Sequence, residues 1–164
     1  MTDKKEITEG PLSGIRVLEL GTMVAGPVCG TLLADFGAEV IKVEPPGTGD
    51  PIRKSGPAVD GECLYWQVEG RNKESITLNL RTPEGQQILR DLVPHVDVVI
   101  ENFKPGTMKK WGLDYECLAP LNSRLVMLSV SGFGQTGPYA ERPSYDRIAL
   151  AFAGFLNMSG YPDR

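Results

Sequence analysis

Short, unbroken apolar runs alternate along this chain with stretches whose apolar residues fall at helical spacing, the pattern of a strand–helix–strand fold. Ile15-Arg16-Val17-Leu18-Glu19-Leu20 reads as a strand, and Gly21-Thr22-Met23-Val24-Ala25-Gly26 turns the chain with small residues that let a ligand's phosphates or thioester approach the backbone. Pro27 is expected as the first helical residue, where no N–H is needed. The helix should run through Leu32, Leu33 and Phe36 to stop at Gly37, and residues 38–44 form a second, buried strand. Two strands joined by a helix are parallel, with a right-handed crossover.

The same alternation continues downstream. Residues 45–61 are a Pro/Gly-rich loop, long enough to suggest function, and Leu64-Tyr65-Trp66 is a short apolar patch. A strand is expected over 75–80, then a helix capped by Thr82 with Ile88, Leu89, Leu92 and Val93 on its apolar face. A strand over 96–100, short helices around 108–111 and 115–121, a strand over 124–130 and an apolar helix over 144–157 complete the reading. The fold class is therefore α/β, a Rossmann-like, mainly parallel sheet with flanking helices. Residues 1–11 read as a flexible tail and 12–164 as one unit, with no repeat or linker.

Composition narrows the function classes. With 41% hydrophobic and 23% charged residues and a net charge of −4, the chain has no cationic stripe for nucleic acid. Cys29, Cys63 and Cys117 are odd in number and widely spaced, and His95 is the one histidine, so neither a disulfide framework nor a metal site is expected. Without a signal-like or membrane-length apolar run, the expected location is cytoplasmic, with no membrane partner. Two phosphate motifs fail on context. Gly21 to Gly26 has P-loop spacing but is followed by Pro27-Val28 where Lys and Ser/Thr are needed; Gly132-Phe133-Gly134-Gln135-Thr136-Gly137 matches the dinucleotide fingerprint, but Pro138 and Pro143 forbid the helix it requires.

Six separated stretches, in order, resemble the class III CoA-transferases of the CaiB/BaiF type. They are Leu12 to Leu20, Ala25-Gly26-Pro27, Asp35 to Asp50, Asn72-Lys73 before Ser75-Ile76, Glu101-Asn102-Phe103-Lys104-Pro105-Gly106, and Ser131 to Pro138. The resemblance covers Pro11 to Arg164 and implies the N-terminal part of that family's large, Rossmann-like domain. It implies a reaction in which an aspartate attacks an acyl-CoA thioester, CoA thiolate returns to give an aspartyl-CoA thioester, and a carboxylic acid accepts the CoA. CoA and acyl-CoA are substrates there, with no metal or other cofactor, and the full-length family forms interlocked homodimers.

Carried over by position, the CoA-contacting residues fall on Val24, Ala25, Leu78, Arg81, Asn102, Phe103, Lys104, Lys110 and Tyr145. Arg and Lys there suit the phosphates, and Phe103 suits adenine or pantetheine. Val24 stands where the formate/oxalate branch has a glutamine, Pro45 where it has an arginine beside adenine, and Pro143 where it has a lysine, which argues against that branch's small-acid substrates. No catalytic residue is expected within the chain: the nucleophilic aspartate should lie beyond Arg164, and Asp163 reads as a turn residue. The chain alone is expected to be nearly inactive, and the alternative reading is a non-catalytic, truncated CoA-binding fragment. The sister α-methylacyl-CoA racemases use a histidine where this chain has Tyr145, a far weaker base, so transferase is preferred to racemase.

Overall fold

The computed structural model describes residues 10–160; most of the expected tail, and Asp163, lie outside the described residues. The Ser13 N–H donates to the Gly10 carbonyl and the Leu12 N–H to that of Phe36.

Among the described residues, seven strands and seven α-helices follow in chain order. They are β1 (Arg16–Glu19), α1 (Ala25–Asp35), β2 (Glu39–Glu44), the hairpin strands β3 (Ala58–Val59) and β4 (Glu62–Cys63), α2 (Leu64–Glu69), β5 (Lys73–Thr77), α3 (Pro83–Leu92), β6 (Val98–Glu101), α4 (Thr107–Trp111), α5 (Tyr115–Leu118), β7 (Val126–Ser129), α6 (Asp146–Phe152) and α7 (Phe155–Met158). Five strands make one parallel sheet in the order β5-β2-β1-β6-β7. The chain thus builds outward from β1 through β2 to β5, then returns to lay β6 on the other side of β1. That reversal opens a crevice between β1 and β6 at the carboxyl ends of the strands, where ligands enter folds of this kind.

The period of two along the strands splits the core. Val17, Val40 and Ile100 pack with Ala34 of α1 on one face, while Leu18, Leu20, Val43 and Val99 pack with Leu89 of α3 on the other. Helices on both faces explain the near-continuous apolar runs of β1, β2 and β6. α1 ends in a Schellman motif: Gly37 has φ +99°, its N–H bonds the Ala34 carbonyl and the Ala38 N–H bonds that of Leu33.

The structure departs from the sequence expectation in five places. Pro27 is the third residue of α1, not the first, which is still inside the turn whose N–H groups have no helical partner. The segment 45–61 is no plain loop: it holds a 3₁₀ turn (Pro51–Lys54) and the β3–β4 hairpin, whose Asp60 and Gly61 both have positive φ. β5 covers Lys73–Thr77 rather than 75–80, because its ladder with β2 begins where Lys73 pairs with Val40. Ile88 on α3 is exposed while Leu89 is buried. The single helix expected over 144–157 is broken, with Gly154 at φ +75° between α6 and α7, and Ile148, Phe152, Phe155 and Leu156 are exposed rather than core. Among the described residues no helix is long and apolar enough to cross a membrane.

Candidate functional site

A cleft of about 770 Å³ and another of about 870 Å³ open at the carboxyl edge of the sheet. The larger collects residues that follow four different strands: Leu20 and Thr22 after β1, Val43 to Pro46 and Lys54 around and after β2, Leu78 to Arg81 after β5, and Phe103, Lys104 and Trp111 after β6. Its floor is apolar, and Phe103 meets Trp111 edge to face with ring centroids 5.3 Å apart. Three cations line it, Lys54, Arg81 and Lys104, and among the described residues none of them makes an ion pair. The one acidic residue lining it, Glu44, is 2% exposed and already paired. On a chain of net charge −4, this is a local excess of positive charge over an apolar floor.

Beneath the cleft lies a chain of buried charges. Lys42 on β2 sits opposite Glu19 on β1, and its Nζ is 2.8 Å from Glu19 Oε1, 2.8 Å from Asp50 Oδ2 and 2.9 Å from the Gly21 carbonyl it donates to. Lys73 Nζ lies 2.6 Å from Glu19 Oε2 and donates to the Pro27 carbonyl at 2.8 Å. Glu44 accepts from Arg53 Nε (2.7 Å) and Nη2 (2.6 Å), from the Asp50 N–H (2.7 Å) and from the Ser75 hydroxyl. Arg53 also stacks on Trp66, 3.5 Å from the ring centroid. Three cations thus balance three carboxylates. Burial alone would raise the Glu44 carboxyl, but the hydrogen bonds from Arg53, Ser75 and the Asp50 N–H outweigh it and hold it at about 2. Burial pushes the Lys73 ammonium below the usual lysine range, only partly countered by Glu19.

This network shapes the turn after β1. The Asp50 carboxylate accepts the Met23 N–H (3.1 Å) and the Ile52 N–H (2.9 Å), holding Met23 at φ +65°. From the other side Asn102 clamps Thr22: its Oδ1 accepts the Thr22 N–H at 2.7 Å and its Nδ2 donates to the Thr22 carbonyl at 2.8 Å. The turn at the crevice is therefore fixed before any ligand arrives, which lowers the cost of ordering it on binding.

Of the residues carried over by resemblance, the structure brings Leu78, Arg81, Phe103 and Lys104 together in the cleft. Val24 and Ala25 are exposed at the start of α1, beside Thr22 of the cleft wall. Asn102 stands at the crevice with its amide engaged by Thr22. Lys110 and Tyr145 are exposed outside the linings of both clefts, Tyr145 by 82%. Lys104 also lines the smaller cleft, which runs between the ends of β6 and β7 and includes Glu101 and Ser129; burial raises the Glu101 carboxyl above its usual range, against hydrogen bonds from Ser129 and the Phe103 N–H. Sequence reasoning missed Lys54 and the buried network. The signal for the network was visible as charged residues inside otherwise apolar strands, Glu19 in Val-Leu-Glu-Leu and Lys42 in Ile-Lys-Val.

The doubly wound parallel sheet, with its cation-lined cleft at the carboxyl edge, places the chain among the open-sheet α/β proteins. The chain belongs to CoA-transferase family III, whose model matches residues 12–164. It is 58% identical over 155 residues to a succinyl-CoA–D-citramalate CoA-transferase of Chloroflexus aurantiacus, covering 94% of this chain and 39% of that protein. It is 51% identical over 153 residues to the β subunit of a succinyl-CoA–L-malate CoA-transferase of the same organism, covering 93% of this chain and 38% of that subunit. The crystal structure of a CaiB/BaiF family protein from Brucella suis superposes with a TM-score of 0.87 at 47% identity, over 95% of this chain and 42% of that one. The chain thus spans about two fifths of the length of these relatives.

Proposed function

We propose that this chain supplies the CoA-binding portion of a CoA-transferase that moves CoA from an acyl-CoA to a carboxylic acid. The observation that carries the reading is the set of three cations, without ion-pair partners among the described residues, over an apolar floor in a family defined by CoA transfer. Arg81 and Lys104 face the phosphates, Phe103 and Leu78 bury adenine or the pantetheine arm, and the turn at Thr22 to Ala25 positions the thioester end. The relatives named above act between succinyl-CoA and four- or five-carbon hydroxy diacids, so succinyl-CoA is the first donor to test, with D-citramalate and L-malate as acceptors.

The chemistry belongs to the same proposal. An aspartate carboxylate adds to the thioester carbonyl and expels CoA thiolate, giving an acyl-aspartyl anhydride; the thiolate then attacks the aspartyl carbonyl, releasing the donor acid and leaving aspartyl-CoA. The acceptor carboxylate repeats the exchange in reverse order. By the resemblance that aspartate falls past Arg164, so the described cleft binds and orients CoA, and the interlocked homodimer and cytoplasmic setting are carried over with it. His95 supports no proton-transfer alternative: it precedes β6 and lies at the amino end of the sheet, where its carbonyl accepts from Arg16 Nη1, while the cleft opens at the carboxyl end.

Calorimetric titration of CoA into the 164-residue chain tests the reading. The expected result is saturable binding that weakens with salt and falls by roughly tenfold in Arg81→Ala or Lys104→Ala, the value of one charge-assisted contact. A flat titration overturns it. Exchange of CoA between succinyl-CoA and L-malate by this chain alone would overturn the placement of the nucleophile.

A further inference from the structure

Lys54 is the cation of the larger cleft that the family resemblance does not single out. It is the last residue of the 3₁₀ turn Pro51–Lys54, in the connection that follows β2, and it is exposed on the cleft wall with no ion-pair partner among the described residues. Its place in the topology is informative. In doubly wound folds the carboxyl end of the second strand meets the ribose of a bound nucleotide; an acid there grips free ribose hydroxyls, whereas a cation accommodates a phosphate on the ribose.

The acid at the end of β2 is Glu44, and it has nothing left to offer a ribose. Oε1 is taken by Arg53 Nη2 and the Ser75 hydroxyl, and Oε2 by Arg53 Nε and the Asp50 N–H. With that carboxylate withdrawn into the protein, the charge that the β2 connection leaves on the cleft wall is that of Lys54. Arg81 follows the edge strand β5 and Lys104 follows β6, three strand spacings away, about 14 Å at the strand ends. Cations rooted on strands so far apart suit a ligand that carries phosphates at separate points.

We infer that Lys54 recognises a phosphate borne on the ribose, so that the cleft selects a 3′-phosphorylated adenosine over an unphosphorylated one. The inference rests on the CoA reading above. It is tested by titrating CoA and 3′-dephospho-CoA separately into the chain and into Lys54→Ala and Lys54→Arg. The exposed position of Lys54 leaves the fold of these variants intact, which matching thermal melts check. The wild-type chain should bind CoA about tenfold more tightly than 3′-dephospho-CoA. Lys54→Ala should bring CoA down to the dephospho value while leaving the latter unmoved, and Lys54→Arg should restore the preference. A preference retained in Lys54→Ala, an equal loss for both ligands, or equal wild-type affinities would overturn the assignment while leaving the CoA reading standing. Wild-type binding of neither ligand removes both.

Discussion

At the scale of single residues, the most constrained positions are charged. Lys42 has its side chain 1% exposed and holds Glu19 and Asp50 together. Removing one member of a buried ion cluster leaves its partners desolvated and uncompensated, which costs more than the cluster contributes. Lys42→Met should therefore lower the stability of the chain by about 3–5 kcal/mol in urea unfolding. A loss below about 1 kcal/mol would show that water reaches the cluster. Gly30 belongs to the same story: a Cβ there would run into the Glu19 carboxylate, so the helix can lie against the charged end of the sheet only because this position has no side chain.

Among the elements, the edge pairing of β5 on β2 is held by more than its ladder. Glu44 on β2 receives Ser75 from β5 and Arg53 from the 3₁₀ turn, and its carboxyl is held at about 2 against an ordinary 4.5. A depressed carboxylate contributes stability that is fully present above the unfolded-state pKa and lost as pH falls through the folded value. Stability on the order of 3 kcal/mol should thus disappear between about pH 5 and pH 2, and Glu44→Gln should be less stable at neutral pH with a shallower acid limb. An acid limb identical in the two proteins would contradict this. The elements also show what the sequence could and could not reveal. β1, α1, β2 and β6 were legible because Val17, Leu18, Val40 and Val99 sit on a sheet covered on both faces, and Thr82 was legible as a cap because its hydroxyl accepts the Gly85 N–H. The cleft residues Leu78, Arg81, Phe103 and Lys104 were reachable only through family resemblance. Their gathering depends on strand order, which periodicity does not encode. Asp60-Gly61 carried a hairpin signal that was submerged in a Pro/Gly-rich stretch, and the break at Gly154 was hidden by a run of good helix formers.

For the whole molecule, apolar surface is distributed unevenly. The sheet core is closed, yet α6 and α7 present Ile148, Phe152, Phe155, Leu156 and Met158 to solvent, the last 77% exposed, and the edge strand β7 adds Val126 and Leu128. Contiguous apolar surface drives association. The chain should accordingly self-associate with rising concentration, and Phe155→Ser with Leu156→Ser should reduce this in sedimentation while moving the unfolding free energy by less than about 0.5 kcal/mol each. Sedimentation profiles that do not change on substitution would place the sticky surface elsewhere. One property of the charge cluster concerns time rather than space. Every partner in it, from Glu19 to Ser75, is translated before the first residue of β6. A chain leaving the ribosome therefore holds its full set of balancing charges while β1 still lacks its neighbour on one side, so the step that is costliest to get wrong needs nothing that has yet to be synthesised.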